Sequence, residues 1–182
     1  MKATRVIAVG LLAVSLSACE ARTDRTDGGG ILLSISDFDG LPIAISVNAS
    51  NGFVQVDEIQ ITSVVKNLDL VGSAIMNVEI ESYEVRYTRG DTGTKVPPLF
   101  VRGLFGVVPA GGIYTVNNLP VMAPEQFTGP PMSDFLFQNG GFDKETGANE
   151  MVLNFHMRFF GRTLSGDAVE TAPASFTVTV TP

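Results

Sequence analysis

Residue types able to do chemistry are few in this chain and far apart. One histidine, His156, and one cysteine, Cys19, occur in 182 residues, and there is no tryptophan. His156 sits in a strand-like run where it shares its parity with Asn154 and Arg158, so a solvent-facing side chain is expected rather than a base or ligand. Carboxylates are the remaining candidates. Asp143, Glu145 and Glu150 fall in one glycine-rich loop at 139–150, and oxygen ligands in such a loop suit calcium, a hard cation. The spacing is not that of an EF-hand, since the third ligand position and the glycine are both wrong, and a solvated hairpin loop is expected instead. Asp37 and Asp39 before Gly40 are a weaker candidate of the same kind. Glu79 and Glu81 share a strand parity, and glycosidases need only two acids at the right separation in a cleft. As i, i+2 neighbours opposite an apolar face, they read as solvated surface. Arg89, Gly90 and Asp91 spell an adhesion tripeptide, but every residue from 89 to 95 suits a polar hairpin tip. The chain has no Gly-x-Ser-x-Gly elbow, no His-Glu-x-x-His, no phosphate-cradling loop and no dinucleotide fingerprint, so no cofactor is expected.

The sole cysteine has a different use. Lys2 and Arg5 precede an apolar run from Val6 to Leu16, and small residues lead into Cys19, which is the build of a secretory signal peptide. Eleven helical residues would span only about 16 Å, well short of the ~30 Å hydrocarbon layer, so the run is a leader and no stable membrane span. Leu16, Ser17, Ala18 and Cys19 resemble the lipobox of the bacterial lipoproteins, an aliphatic residue and two small ones before the cysteine. That resemblance implies cleavage after residue 18, acylation of Cys19 and a lipid-anchored place in the bacterial cell envelope. In such lipoproteins aspartate after the cysteine is the commoner inner-membrane signal, and Glu20 in its place points toward the outer membrane. Two or three acyl chains, each methylene contributing about 0.8 kcal/mol, anchor durably where one would be marginal. With Cys19 so engaged, the folded part has no disulfide, no thiolate metal site and no thiol nucleophile.

Charge narrows the partners. Removing residues 1–18 takes two of the 12 basic residues, Lys2 and Arg5, and none of the 19 acidic ones, which leaves a formal charge of −9. An acidic surface repels phosphate backbones, so no nucleic acid is expected as partner. Residues 19–30, polar and closed by three glycines, form a flexible tether whose reach is roughly 20 Å. Residues 31–182 then make one domain of common size.

The positioning elements are strands. Ile43, Ile45, Val47 and Ala49 alternate with polar or small residues across 41–49, and Met151, Leu153, Phe155, Met157 and Phe159 alternate across 151–160. Phe176, Val178 and Val180 mark a last strand that should pair antiparallel with the one before it. Two phase slips interrupt the pattern. Val54 and Val56 have the opposite parity to Ile59, Ile61, Ser63 and Val65, with the break near Asp57 and Glu58. Met76, Val78 and Ile80 have the opposite parity to Tyr83, Val85 and Tyr87, which predicts a one-residue bulge around Glu81 and Ser82. The expected fold is all-β, an antiparallel β-sandwich of immunoglobulin-like or related Greek-key kind.

Residues 97–142 hold seven of the ten prolines and six of the twelve phenylalanines but only three charges, Arg102, Glu125 and Asp134. Short strands at 99–102 and 113–116 with long apolar loops, and a helical turn near 133–138, are expected there. Such loops either close an end of the sandwich or present a contact surface, for which Phe127, Met132, Phe135 and Phe137 are the natural anchors. The functional expectation is a non-enzymatic envelope lipoprotein, held to the membrane through Cys19, that binds an envelope protein or plays a structural part through these loops. The alternative is a carboxylate-dependent hydrolase acting on envelope or extracellular carbohydrate.

Overall fold

The computed structural model describes residues 30–50, 52–67, 69 and 73–182. The lipobox, Cys19 and the tether as far as Gly29 lie outside the described residues. Among the described residues there are nine strands: β1 (Ile31–Asp39), β2 (Ala44–Ser46), β3 (Val54–Val65), β4 (Val78–Arg89), β5 (Phe100–Val108), β6 (Ile113–Met122), β7 (Met151–Thr163), β8 (Ala168–Glu170) and β9 (Ala174–Thr181). They form the expected all-β sandwich of two packed sheets, one in the order β1-β3-β6 and the other in the order β2-β9-β7-β4-β5, with β8 added on β7. β7 and β9 pair antiparallel, as their sequences predict. The sandwich is not wholly antiparallel, because β2 runs parallel to β9 with Ile45 opposite Val180. The strand expected over 41–49 is cut to these three residues. Ile43 is exposed, while the chain turns through Val47 to Ser50 with the Ala49 and Ser50 amides donating to the Ser46 carbonyl.

Both phase slips are present, and they are built differently. On β4, Ile80 pairs with Gly161 and Ser82 with Phe160 of β7, leaving Glu81 as an extra residue. That bulge turns Val78 and Ile80 to the same face as Tyr83, Val85 and Tyr87, and all five are buried. In β3 the register against β6 is unbroken around Asp57, with Val56 opposite Leu119 and Glu58 opposite Asn117. Both strands change face together there, at the point where Asn118 adopts a positive φ of 53°. Asparagine tolerates this left-handed conformation better than most residues. Val54 and Val56 before the step, and Ile59 and Ile61 after it, therefore all reach the core.

The two sheets meet through β7, whose alternate residues Met151, Leu153, Phe155, Met157 and Phe159 are fully buried. The Phe155 ring stacks on Phe176 at 5.0 Å and meets Tyr87 edge-on at 4.9 Å, separations at which aromatic pairs attract beyond their area. The hydroxyls of Tyr83 and Tyr87 cross the sandwich and donate to the carbonyls of Pro120 and Val121, at 2.7 and 2.6 Å. Burial pushes the Tyr83 phenol up to about 12, so it stays a donor at every physiological pH.

β5 and β6 are longer than the sequence suggests. Gly103, Gly106 and Pro120 look like interruptions, but each strand lies at the edge of its sheet, where only one flank must be bonded. The ends of the sandwich differ. At one lie Gly30, a 3-10 turn at Ala74–Met76, the β5–β6 turn and the turn after β7. At the other lie the 90–99 loop and the whole 123–150 segment, which holds α1 (Pro124–Phe127) and 3-10 turns at Met132–Phe135 and Phe137–Asn139.

Candidate functional site

The outward face of the larger sheet carries a surface arranged in columns, strand by strand. On the edge strand β5, Phe100 and Val108 turn inward and are buried, while Leu99 just before the strand and Val101, Phe105 and Val107 within it are exposed. Phe105 reaches 89% exposure, the highest of any large apolar side chain among the described residues. Its outward position follows from the alternation of β5, which buries Phe100 and Val108 and turns out Val101, Phe105 and Val107. Between the pairs Ile80–Gly106 and Ser82–Gly103, the two residues Leu104 and Phe105 stand opposite Glu81 alone, so the edge bows outward there. Phe105, Gly106 and Val107 then share with Glu79, Ile80 and Glu81 an open depression of about 350 Å³. On the facing sheet Tyr114 packs beside Gly106 and its hydroxyl donates to the Phe105 carbonyl at 3.4 Å. An apolar row of this length on an outermost strand is what natural edges usually avoid, and Arg102 is the one charge within it.

The next columns are polar. β4 turns out Glu79, Glu81, Glu84 and Arg86, and β7 turns out His156, Arg158 and Arg162. Arg162 lies 3.6 Å from Glu81, and Arg158 lies 3.9 Å from Glu170. Glu79 and Glu81 thus line a shallow, apolar-edged depression with a cation beside one of them, and they do not face each other across a cleft. His156 is on the outward face, as its parity predicts, but both ring nitrogens are engaged, one with Thr88 Oγ1 at 2.8 Å and the other with Ser175 Oγ at 2.6 Å. Hydroxyls on both sides hold the ring in place without supplying the carboxylate that orients a catalytic imidazole. Glu84, Arg86, His156, Arg158 and Pro173 border an open hollow of about 390 Å³.

Three of the four residues expected to anchor a partner are not available for that role. Met132 and Phe135 are fully buried and Phe127 is 8% exposed, because the 123–142 segment folds down and closes the end of the sandwich with them. Gln126 begins this closure, its side-chain oxygen accepting from the Ala123 amide at 3.0 Å. Asn48 completes it, donating to the Phe135 carbonyl at 3.1 Å and accepting from the Phe137 amide at 3.3 Å. Phe137 alone is exposed, at 72%. The segment has no strand parity, which is why its inward and outward phenylalanines were indistinguishable in the sequence.

The Arg89-Gly90-Asp91 tip is also built inward. The Arg89 side chain is 3% exposed, with Nε donating to Asp91 Oδ1 and Nη2 to Asp143 Oδ2, both at 2.7 Å, and its Nη1 lies 4.0 Å from Glu145. Burial alone would depress the guanidinium, but its bonds to Asp91 and Asp143 hold its pKa above the ordinary value. The reverse balance holds for the acids. Burial raises Asp91 and Asp143, yet the Arg89 bond and backbone amides outweigh it and keep both below the usual carboxylate range. Glu145 is lowered chiefly by the Thr94 hydroxyl and the Lys95 amide. Two of the three acids considered for calcium are thus turned on an arginine and on backbone amides, and among the described residues no group of three His, Cys, Asp or Glu could hold a metal ion. The sequence concealed this cluster because Arg89 and Asp143 are 54 positions apart. No protein-family model, curated protein or solved structure matches this chain.

Proposed function

We propose that this protein is a lipid-anchored module of the bacterial cell envelope that binds a protein partner along β5. The observation carrying the reading is the row Leu99, Val101, Phe105 and Val107, exposed on the outermost strand of a sheet. An edge of this kind offers backbone donors and acceptors for an added strand, and its side chains select an apolar neighbour. The lipobox places the module, and the short tether keeps it beside the membrane. Within 97–142 the contact role thus rests on the edge strand, while the loops expected to carry it serve mainly to close the core.

The test uses full-length protein expressed in its native envelope and crosslinked before capture. Val101→Asp with Phe105→Asp should abolish partner capture while leaving the unfolding midpoint near that of the parent, since exposed substitutions usually change stability by no more than ~0.5 kcal/mol. Undiminished capture by the double variant would sink the β5 reading. In the same strain Cys19→Ser should release the folded domain from the membrane fraction; retention there would contradict the lipid anchor.

A further inference from the structure

We infer that the tip of the sandwich where the tether joins seats against the lipid surface, with Ile75 and Leu164 entering the boundary between headgroups and acyl chains. The inference rests on the lipid-anchor reading above. It starts from where the chain joins the domain. The Lys66 amide donates to the Gly30 carbonyl at 3.0 Å, and a Cβ placed on Gly30 would lie 3.4 Å from the Met76 methyl, so the tether meets the domain beside the 74–76 turn. That turn is held against the one following β7. The Leu164 amide donates to the Asn77 carbonyl at 2.9 Å, and the Ser165 amide to the Ile75 carbonyl at 3.1 Å. Ile75 and Leu164 are thereby fixed as neighbours at the point where the tether arrives, and they are 58% and 49% exposed.

The apolar surface continues around this tip. Leu32 and Val64 are directly opposite each other on β1 and β3, and both are exposed, as is Ile113 at the start of β6. None of these side chains was placed outward by chance of a loop alone, since Leu32, Val64 and Ile113 belong to regular strands. The 11 residues after Cys19, 20–30, reach roughly 20 Å as a flexible linker, which keeps this tip nearer the membrane surface than the 123–150 end. The domain is acidic and gains little attraction from anionic lipid, so apolar insertion is the interaction open to it.

The absence of tryptophan makes the test direct. Full-length lipidated protein carrying Ile75→Trp, Leu164→Trp or, at the opposite end, Phe137→Trp is reconstituted into vesicles of phosphatidylethanolamine and phosphatidylglycerol, with and without brominated acyl chains. Emission from the first two should be quenched at least about twofold by the brominated lipid, as for a side chain seated ~5–10 Å into the boundary, and Phe137→Trp should be unaffected. If all three variants float with the vesicles and neither tip tryptophan is quenched, the seating is overturned and the anchor survives. If none floats, the anchor reading fails and the seating fails with it. A spectral shift at the tip that depends on protein concentration in detergent, without quenching in vesicles, would assign the tip to a second copy of the chain and also overturn the proposal.

Discussion

At the scale of the residue, Arg89 and Phe135 show how poorly local sequence reports burial outside regular elements. A polar, glycine-rich stretch suggested a solvated tip, yet Arg89 is clasped by Asp91 and Asp143 and shielded from water. Arg89→Met would leave Asp143, 1% exposed, as an uncompensated buried charge, and should cost about 3–5 kcal/mol at pH 7 in urea unfolding. The pH dependence follows from the acids. Asp91, Asp143 and Glu145 titrate lower in the folded chain than their ordinary values of 3.8, 3.8 and 4.5, so the unfolded state takes up protons first as pH falls. Their stabilisation is complete above those ordinary values and is lost as pH drops through the depressed ones. The wild type should therefore lose stability below about pH 4, and the gap to Arg89→Met should narrow there. A gap independent of pH would show that the arginine acts by packing alone. For Phe135→Ala, removal of a fully buried ring predicts a loss of about 3–5 kcal/mol, whereas Phe137→Ala should change stability by ~0.5 kcal/mol or less. Equal effects would mean that the 132–139 turns do not close the core as described.

At the scale of the element, the strands were legible wherever one face is buried, because a period of two leaves little choice of register. The Glu81 bulge was readable from parity alone, since Ile80 and Tyr83 could not otherwise share a face. The break at Asp57 was readable as a break but not as a mechanism. Its partner in the step, Asn118, lies in another strand, and the register between the two hides the change. Strand length failed at β5 and β6, where glycine and proline signal an end only if both flanks need bonds. The parallel pairing of β2 with β9 joins residues more than a hundred positions apart, and no local pattern announces it. Glu81 is an extra residue in the strand and contributes no side chain to the core. Glu81→Ala should be nearly silent, because its pair with Arg162 is exposed on both sides. Deleting Glu81 should leave a cooperative unfolding transition, because Ile80 then abuts Ser82 and strict alternation keeps Val78 and Ile80 on the face of Tyr83 and Val85. The junction is also tight, since a Cβ on Gly161 would collide with the Glu79 carbonyl. Loss of the cooperative transition in the deletion variant would show that the bulge itself is needed for the fold.

At the scale of the molecule, the sandwich separates its tasks by position. One end receives the chain at Gly30, the other is plugged by the 123–142 segment, and the long apolar edge runs between them. The proposed contacts to lipid and to a partner therefore lie on different faces and need not compete. The site legible in the sequence was the segment 97–142, and its composition was informative in aggregate. Which phenylalanines of its 123–142 part face out depended on contacts such as that of Asn48, distant in sequence.

The place of β9 bears on how the larger sheet is assembled. Its side chains Phe176, Val178 and Val180 fill the core between β7 and β2, so the larger sheet is split until residues 174–181 arrive. Until β9 pairs, β7 and β2 stay unjoined and their apolar faces stay wet. Closing a loop that long before its contacts form is slow, and the interval is when aggregation threatens. β9 follows the other described strands in the chain and is thus the one that ends this interval, which makes its arrival a timing element for folding as well as a part of the core.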